Sequence, residues 1–272
     1  AYRKIRNTWR FLLGNLYDFS PAVDSVPADE MQLLDRWILE KSGDMRRRVL
    51  KAYEDYEFHV VFHAIYDFFT VELSSFYLDV IKDKAYCSGK KSALRRSAQT
   101  ALFRVLKDTL ALMAPILPFT ADEAWEAMPA FEGKEESVHL GLFPGADESR
   151  LDPEAFKEMD ELILVREKVL KELEKARESK LIGNSLEAVV VLSVPDGQMG
   201  LLKKHEAVLA ELFIVSKVTL AKARGEDIGI KVEKAGGAKC ERCWNWSDSV
   251  GKSAGHPTFC ARCSGVVGGM GK

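Results

Sequence analysis

The chain has 272 residues, 47% of them hydrophobic and 29% charged, with a formal net charge of −2. That length supports a full core and two or three domains, while so small a net charge excludes a global attraction to nucleic acid, so any such binding must come from local basic patches. No apolar stretch approaches the ~20 residues that span a bilayer, no basic-then-apolar signal segment is present, and five cysteines in two tight pairs plus a lone Cys87 do not make the framework of a small secreted domain. A cytosolic protein with a metal site is the simpler expectation.

The chain opens AYRKIRNTWRFLLGNLYDF, already in helical rhythm and without a starter methionine, which reads as a piece of something longer. Ile5, Trp9, Leu12, Leu13 and Leu16 share one helical face. A Pro-bounded loop, SPAVDSVPADE, precedes a second helix from Leu33 to about Tyr56, paced by Leu34, Trp37, Ile38, Met45, Val49 and Ala52. EFHVVFHAIYDFFTVELSSFYLDVIKD is apolar on most sides, as a helix at the centre of a bundle would be. Another helix starts after Ser92 and runs to Pro115, and Thr120 with Glu123 forms a capping-box pattern that restarts a helix beyond Pro118. Residues 1 to about 130 are thus expected to form a helical bundle.

From Pro129 to Pro153 the chain reads as a connector with one short strand candidate, SVHLGLF. Asp152 is the expected cap, and Pro153 the first residue, of a long charged helix reaching about Ser179. The period then changes. LEAVVVLSV, FIVSKVTLA and DIGIKVEKA are β-branched runs, with GQMGLLKKHEAVLAELF as a helix between the first two. The expected fold class is mainly α: a helical domain with its connector over 1–150, a small α/β module over 151–235, and a four-cysteine zinc ribbon over 236–272.

That last segment carries the chemistry. Cys240, Cys243, Cys260 and Cys263 follow the pattern Cys-x2-Cys-x16-Cys-x2-Cys, a spacing that lets four thiolates close a tetrahedral shell around one structural Zn2+. A segment with so few large apolar residues could scarcely fold without metal. Two disulfides or idle thiols are the alternative, and His256 is expected to stay outside the ligand set. Lys239 to Lys272 holds five Lys/Arg against two acidic residues, and Arg242 and Trp244 beside that charge suit stacking on unpaired bases. Either Trp246 or Phe259 is expected to pack against the knuckles as a miniature core.

Other constellations speak more softly. His59 and His63 lie one helical turn apart but among Phe58, Val61 and Phe62, and read as core or interface histidines. Cys87 reads as a thiol near a surface turn with no catalytic role. Arg46, Arg47, Arg48 and Lys51 form one basic cluster, and Lys82, Lys84, Lys90, Lys91, Arg95 and Arg96 form another opposed only by Asp83. Each is either a solvated surface or a track for phosphates. Arg3, Lys4, Arg6, Asn7 and Arg10 make a polar face on the first helix.

KCERCWNW followed by PTFCARC resembles the zinc finger shared by bacterial isoleucyl-tRNA synthetases and formamidopyrimidine-type DNA glycosylases. YRKIRNTWRFLLGNL, YDFFTVELSSFYLDVIKD, RRSAQTALFRVL and APILPFTADEAW resemble the anticodon-binding helical domain of class I synthetases for branched aliphatic amino acids. SVHLGLFP, EKARESKLIGNSLEAVVVL and CERCW point to the isoleucine enzyme of bacterial type, and the resemblance covers nearly the whole chain. Nothing resembles the catalytic amino-terminal proline of the glycosylases. The family's His-Ile-Gly-His and Lys-Met-Ser-Lys-Ser signatures and its editing domain are missing, so the resemblance implies a carboxy-terminal fragment that is not an enzyme on its own. Its implied partners are the anticodon arm of tRNA(Ile) and the remainder of an ATP-dependent synthetase, in a cytoplasmic, monomeric setting. The candidate RNA contacts are then Arg242, Trp244 and Lys239 on the zinc module, and Arg3, Arg6, Arg10, Arg46, Arg47, Lys90, Lys91, Arg95 and Arg96 on the helices. A zinc-ribbon scaffold for protein–protein contacts is the alternative.

Overall fold

The structure is a computed structural model that describes residues 1–145 and 153–270. The chain divides into two units, one of residues 1–85 and 90–156, the other of residues 86–89 and 157–272.

The first unit is helical. Helix α1 (Tyr2–Asn15) buries Ile5, Thr8, Trp9 and Leu12 at intervals of three and four, and the Trp9 indole Nε1 donates to Thr109 Oγ1 at 3.1 Å. The expected loop contains one short turn of helix, α2 (Pro21–Asp24), before α3 (Leu33–Glu54), which buries the six apolar residues that pace it. Next come α4 (Phe58–Asp67), a ten-residue π-helix (Phe68–Tyr77), α5 (Leu78–Val80) and α6 (Lys82–Cys87). The wider π turn explains why this stretch looks apolar on most sides. It buries Phe68, Phe69, Leu73, Phe76 and Tyr77, a spacing that no single 3.6-residue stripe covers. The helix covered most completely is instead α7 (Ala93–Met113), with fourteen buried residues. The Ser92 hydroxyl caps it by accepting from the Arg95 N–H at 3.3 Å.

Two local expectations are corrected. Helix α8 (Pro118–Glu126) starts at Pro118 itself, without a side-chain cap, because proline's missing N–H costs nothing in the first helical turn. Thr120 therefore lies inside the helix, where its Oγ1 meets Tyr2 Oη at 3.1 Å, and Glu123 pairs with Arg6 at 3.6 Å. The strand candidate SVHLGLF forms a 3-10 turn at Val138–Leu140 instead. The Asp122 carboxylate accepts from Ser137 Oγ at 2.7 Å and from the Val138 N–H at 3.0 Å, which satisfies backbone that a strand would have needed a partner to satisfy.

A buried polar node ties this unit together. Asp35 is fully buried; its carboxylate accepts from Tyr77 Oη at 2.8 Å and Ser97 Oγ at 2.6 Å and pairs with Lys84 Nζ at 3.2 Å. A second node gathers on Asp18, whose two oxygens take both terminal nitrogens of Arg95 at 2.6 and 2.8 Å.

The second unit is led by α9 (Pro153–Glu178), whose expected cap, Asp152, lies outside the described residues. Met159, Leu162, Val169, Leu173 and Ala176 are its buried stripe. The three β-branched runs form β1 (Ala188–Val194), β2 (Lys217–Lys222) and β3 (Gly229–Lys234) in the order β2-β1-β3, with β1 parallel to β2 and antiparallel to β3. Central β1 alternates strictly, burying Ala188, Val190, Leu192 and Val194. The parallel crossover is helical, as that pairing requires, but breaks at His205 into α10 (Asp196–Lys204) and α11 (Glu206–Phe213). There the His205 imidazole and the Lys204 ammonium both meet Glu158, at 2.8 and 2.5 Å. The cysteine segment follows as a two-stranded ribbon, β4 (Ala238–Lys239) with β5 (Trp246–Ser247), and a closing helix α12 (Ala261–Met270). Gly237 makes the ribbon possible: at φ +76, a Cβ there would sit 2.4 Å from the Ser247 carbonyl carbon.

Candidate metal centre and nucleic-acid interface

Cys240 and Cys243 leave the end of β4, and Cys260 and Cys263 enter α12. The four sulfurs lie within 4.8 Å of one another, all are buried, and none is in a disulfide. The Cys243 and Cys260 sulfurs are 3.8 Å apart. Zn–S bonds of about 2.3 Å give a tetrahedral edge of about 3.8 Å, so the spacing fits one ion and is far too long for a disulfide. Backbone holds the shell open: the Cys260 N–H donates to Cys240 Sγ at 3.3 Å, and the Cys240 N–H donates to the Asn245 carbonyl at 2.9 Å. Burial pushes the Cys240 thiol up, but backbone donors around its sulfur outweigh it and bring it to about 6, within reach of metal-ready thiolate. Burial likewise raises Cys243 and Cys263. When bound, zinc supplies the charge that lets all four be thiolates. Among the described residues this is the only His/Cys/Asp/Glu group gathered for a metal.

His256 stays outside the group, its ring stacked on Phe259 at 5.5 Å. Phe259 and Val250 pack against the sulfurs. Trp246 lies on β5, where its backbone N–H donates to Ser216 Oγ at 2.7 Å. Cys87 is not at a surface. It is buried with the four cysteines, its Sγ donating to the Arg242 carbonyl at 3.4 Å. No local pattern could join residues 155 apart.

Trp244 is 60% exposed and held at φ +65, a left-handed conformation that is costly for a bulky residue. Its N–H donates to the Cys240 carbonyl at 2.8 Å, which fixes the strained turn of the knuckle. Lys239 Nζ lies 5.3 Å from its ring centroid. Arg242 turns inward: its guanidinium donates to the carbonyls of Cys87 at 2.5 Å and Tyr86 at 3.2 Å, and to Cys263 Sγ at 3.7 Å.

In the helical unit, Arg3, Arg6 and Arg10 are exposed along one face of α1, opposite its buried stripe. Lys90 and Lys91 are exposed just before α7. The neighbouring cations are engaged inside the fold: Lys84 on Asp35, Arg95 on Asp18, and Arg96 on the Asp18 carbonyl at 2.9 Å and Asp24 at 3.2 Å. Lys82 pairs with Asp79 at 2.7 Å, so the cluster that looked opposed by Asp83 alone meets four further carboxylates, Asp18, Asp24, Asp35 and Asp79. Arg46 pairs with Asp108 at 2.9 Å and Arg47 with Asp44, and both arginines line a cleft of about 340 Å³ between α3 and α7. His59 and His63 are exposed on α4 rather than in a core.

Residues 35–192, more than half of the chain, match the anticodon-binding domain of tRNA ligase. The chain belongs to that family. Residues 237–264 match the zinc finger found in FPG and IleRS, a span that encloses all four cysteines. Isoleucine–tRNA ligase of Syntrophotalea carbinolica is 51% identical over 98% of the chain, and those of Geobacter sulfurreducens and Carboxydothermus hydrogenoformans are 44% and 46% identical over the same share. The chain spans about 30% of the length of these relatives. Among the described residues no helix is long and apolar enough to cross a membrane.

Proposed function

We propose that this chain grips the anticodon arm of tRNA(Ile) as the carboxy-terminal part of an isoleucine–tRNA ligase. Residues 1–150 serve as the helical anticodon-binding domain, 151–235 as a small α/β module and 236–272 as the zinc finger. The joining of isoleucine to tRNA with ATP belongs to the rest of that ligase, in the cytoplasm, and this chain does not catalyse it alone. The observation that carries the reading is Trp244: an exposed indole, kept in a strained backbone conformation at the tip of a metal knuckle, with a lysine ammonium against its ring. Strain of that kind persists where the surroundings enforce it and function uses it, and an aromatic plane beside positive charge is a stacking platform for an unpaired base. Arg3, Arg6, Arg10, Lys90 and Lys91 are the accessible cations that would hold phosphates. Arg46 and Arg47 offer partly covered charge at their cleft, and Arg95, Arg96 and Arg242 act by fixing the surfaces that others present.

The test is titration of labelled tRNA(Ile) with the zinc-loaded chain at two salt concentrations, against a zinc-stripped sample and a non-cognate tRNA. Binding that prefers the cognate tRNA, weakens steeply with salt and weakens again without zinc is the expected result. Absent or salt-indifferent binding would overturn the proposal in favour of a protein-binding scaffold.

A further inference from the structure

Both knuckles have the form Cys-x-Arg-Cys: Cys240-Glu241-Arg242-Cys243 and Cys260-Ala261-Arg262-Cys263. The arginines cross over. Arg242, in the first knuckle, donates through its Nη1 to the sulfur of Cys263, the last cysteine of the second. Arg262, in the second knuckle, lies within interaction range of the side chain of Cys243, the last cysteine of the first. Four thiolates around a divalent ion leave two net negative charges in a largely buried cluster, and the two guanidinium groups supply the matching positive charge at its edge.

We propose that Arg242 and Arg262 are a crossed pair of positioning residues that neutralise the four-sulfur site and lock the two knuckles to each other. The two are not equal. Arg242 is half-buried and anchored by the Tyr86 and Cys87 carbonyls, so its donor to Cys263 is fixed in place. Arg262 is exposed, and water screens much of its charge. Arg242 therefore carries the larger share. The flat guanidinium can serve a sulfur and two carbonyls together, which a single ammonium cannot match in geometry though it matches in charge. Because the pair acts on metal retention, it stands or falls independently of which nucleic acid the chain binds.

The test measures the zinc affinity of the full chain by competition with a chromophoric chelator, alongside the thiolate-to-cobalt charge-transfer band after Co2+ substitution. Arg242→Ala is expected to weaken zinc roughly 10- to 100-fold, the range for partners that orient metal ligands, and to shift the cobalt band. Arg262→Ala should weaken it less, and the double variant should fall below either single one. Arg242→Lys, which keeps the charge, should recover much of the loss, whereas Arg242→Gln should not. Zinc affinity within about twofold of the parent in Arg242→Ala would overturn the pair, being small beside an orienting partner's usual contribution. Equal losses in the Lys and Gln variants would overturn neutralisation, and a double variant no weaker than Arg242→Ala would remove Arg262 from it. Retained hydrogen-exchange protection across 238–264 of the zinc-loaded variants, and in β1, shows that they remain folded.

Discussion

The helical unit and the zinc finger solve the same stability problem by opposite means. The first buries a continuous set of large side chains, Trp9, Phe69, Tyr77, Ile38 and Leu102 among them, around α7. The finger buries four sulfurs together with Cys87, and Val250 and Phe259 pack partly against them. A core of the first kind loses stability piecemeal as side chains are trimmed. A core of the second kind depends on a single ion. What harms one should leave the other nearly untouched.

The largest expected effect follows from that difference. Structural zinc sites are worth about 10–16 kcal/mol of folding free energy, so stripping the metal, or replacing Cys240 with Ser, should abolish amide protection across 238–264 while α3 and α7 keep theirs. Hydrogen exchange followed by mass spectrometry reads both regions in one sample. The reciprocal break is Asp35→Ala, which removes the buried carboxylate that Tyr77, Ser97 and Lys84 share. It should cost about 3–5 kcal/mol in urea unfolding of the helical unit, with zinc affinity unchanged.

Acid sharpens the comparison further. Burial pushes the Asp18 carboxyl up, but hydrogen bonds from Arg95 and Gln99 and the charges of Arg95 and Arg96 outweigh it and hold it below the ordinary value of 3.8. A carboxyl depressed by folding adds stability that is complete above its unfolded pKa and disappears as pH falls through the lower folded one. The helical unit should accordingly lose melting temperature as pH falls through and below the ordinary carboxyl value of 3.8, and Asp18→Asn should flatten that limb.

The smallest effects lie at the knuckle tip. Trp244→Ala is expected to weaken tRNA binding by about 1–3 kcal/mol, the value of one stacked base, with no loss of zinc. Trp244→Gly should bind as weakly as the alanine variant yet be more stable by about 1 kcal/mol, because glycine meets no Cβ penalty at positive φ. Equal stability of the two variants would mean that the left-handed turn carries no strain.

How much of this was legible in the sequence depended on whether a feature is local. The Cys-x2-Cys pairs, the stripe of α1 and the alternation of β1 are periodic or closely spaced, so residue type and interval suffice. The π turn from Phe68 to Tyr77 is local too, but its pattern mimics a helix buried all round. The Asp35 and Asp18 nodes join residues far apart in the chain, and they turned Lys84, Arg95 and Arg96 from an apparent surface cluster into internal partners. Arg242 misleads for the same reason. Beside Trp244 in the sequence it looks like a second stacking plane, yet its carbonyl partners lie on a segment that no motif marks.

The exposure of Trp244 has an optical consequence. Of the five tryptophans, Trp9, Trp37 and Trp125 are buried and Trp246 is half-buried, so Trp244 is the one that faces water. Its emission should be the reddest of the five and the first quenched by iodide, drawn closer by the ammonium of Lys239. A base stacked on the indole would shut the quencher out. The chain therefore carries its own fluorescent gauge of occupancy at the knuckle, readable without any attached dye.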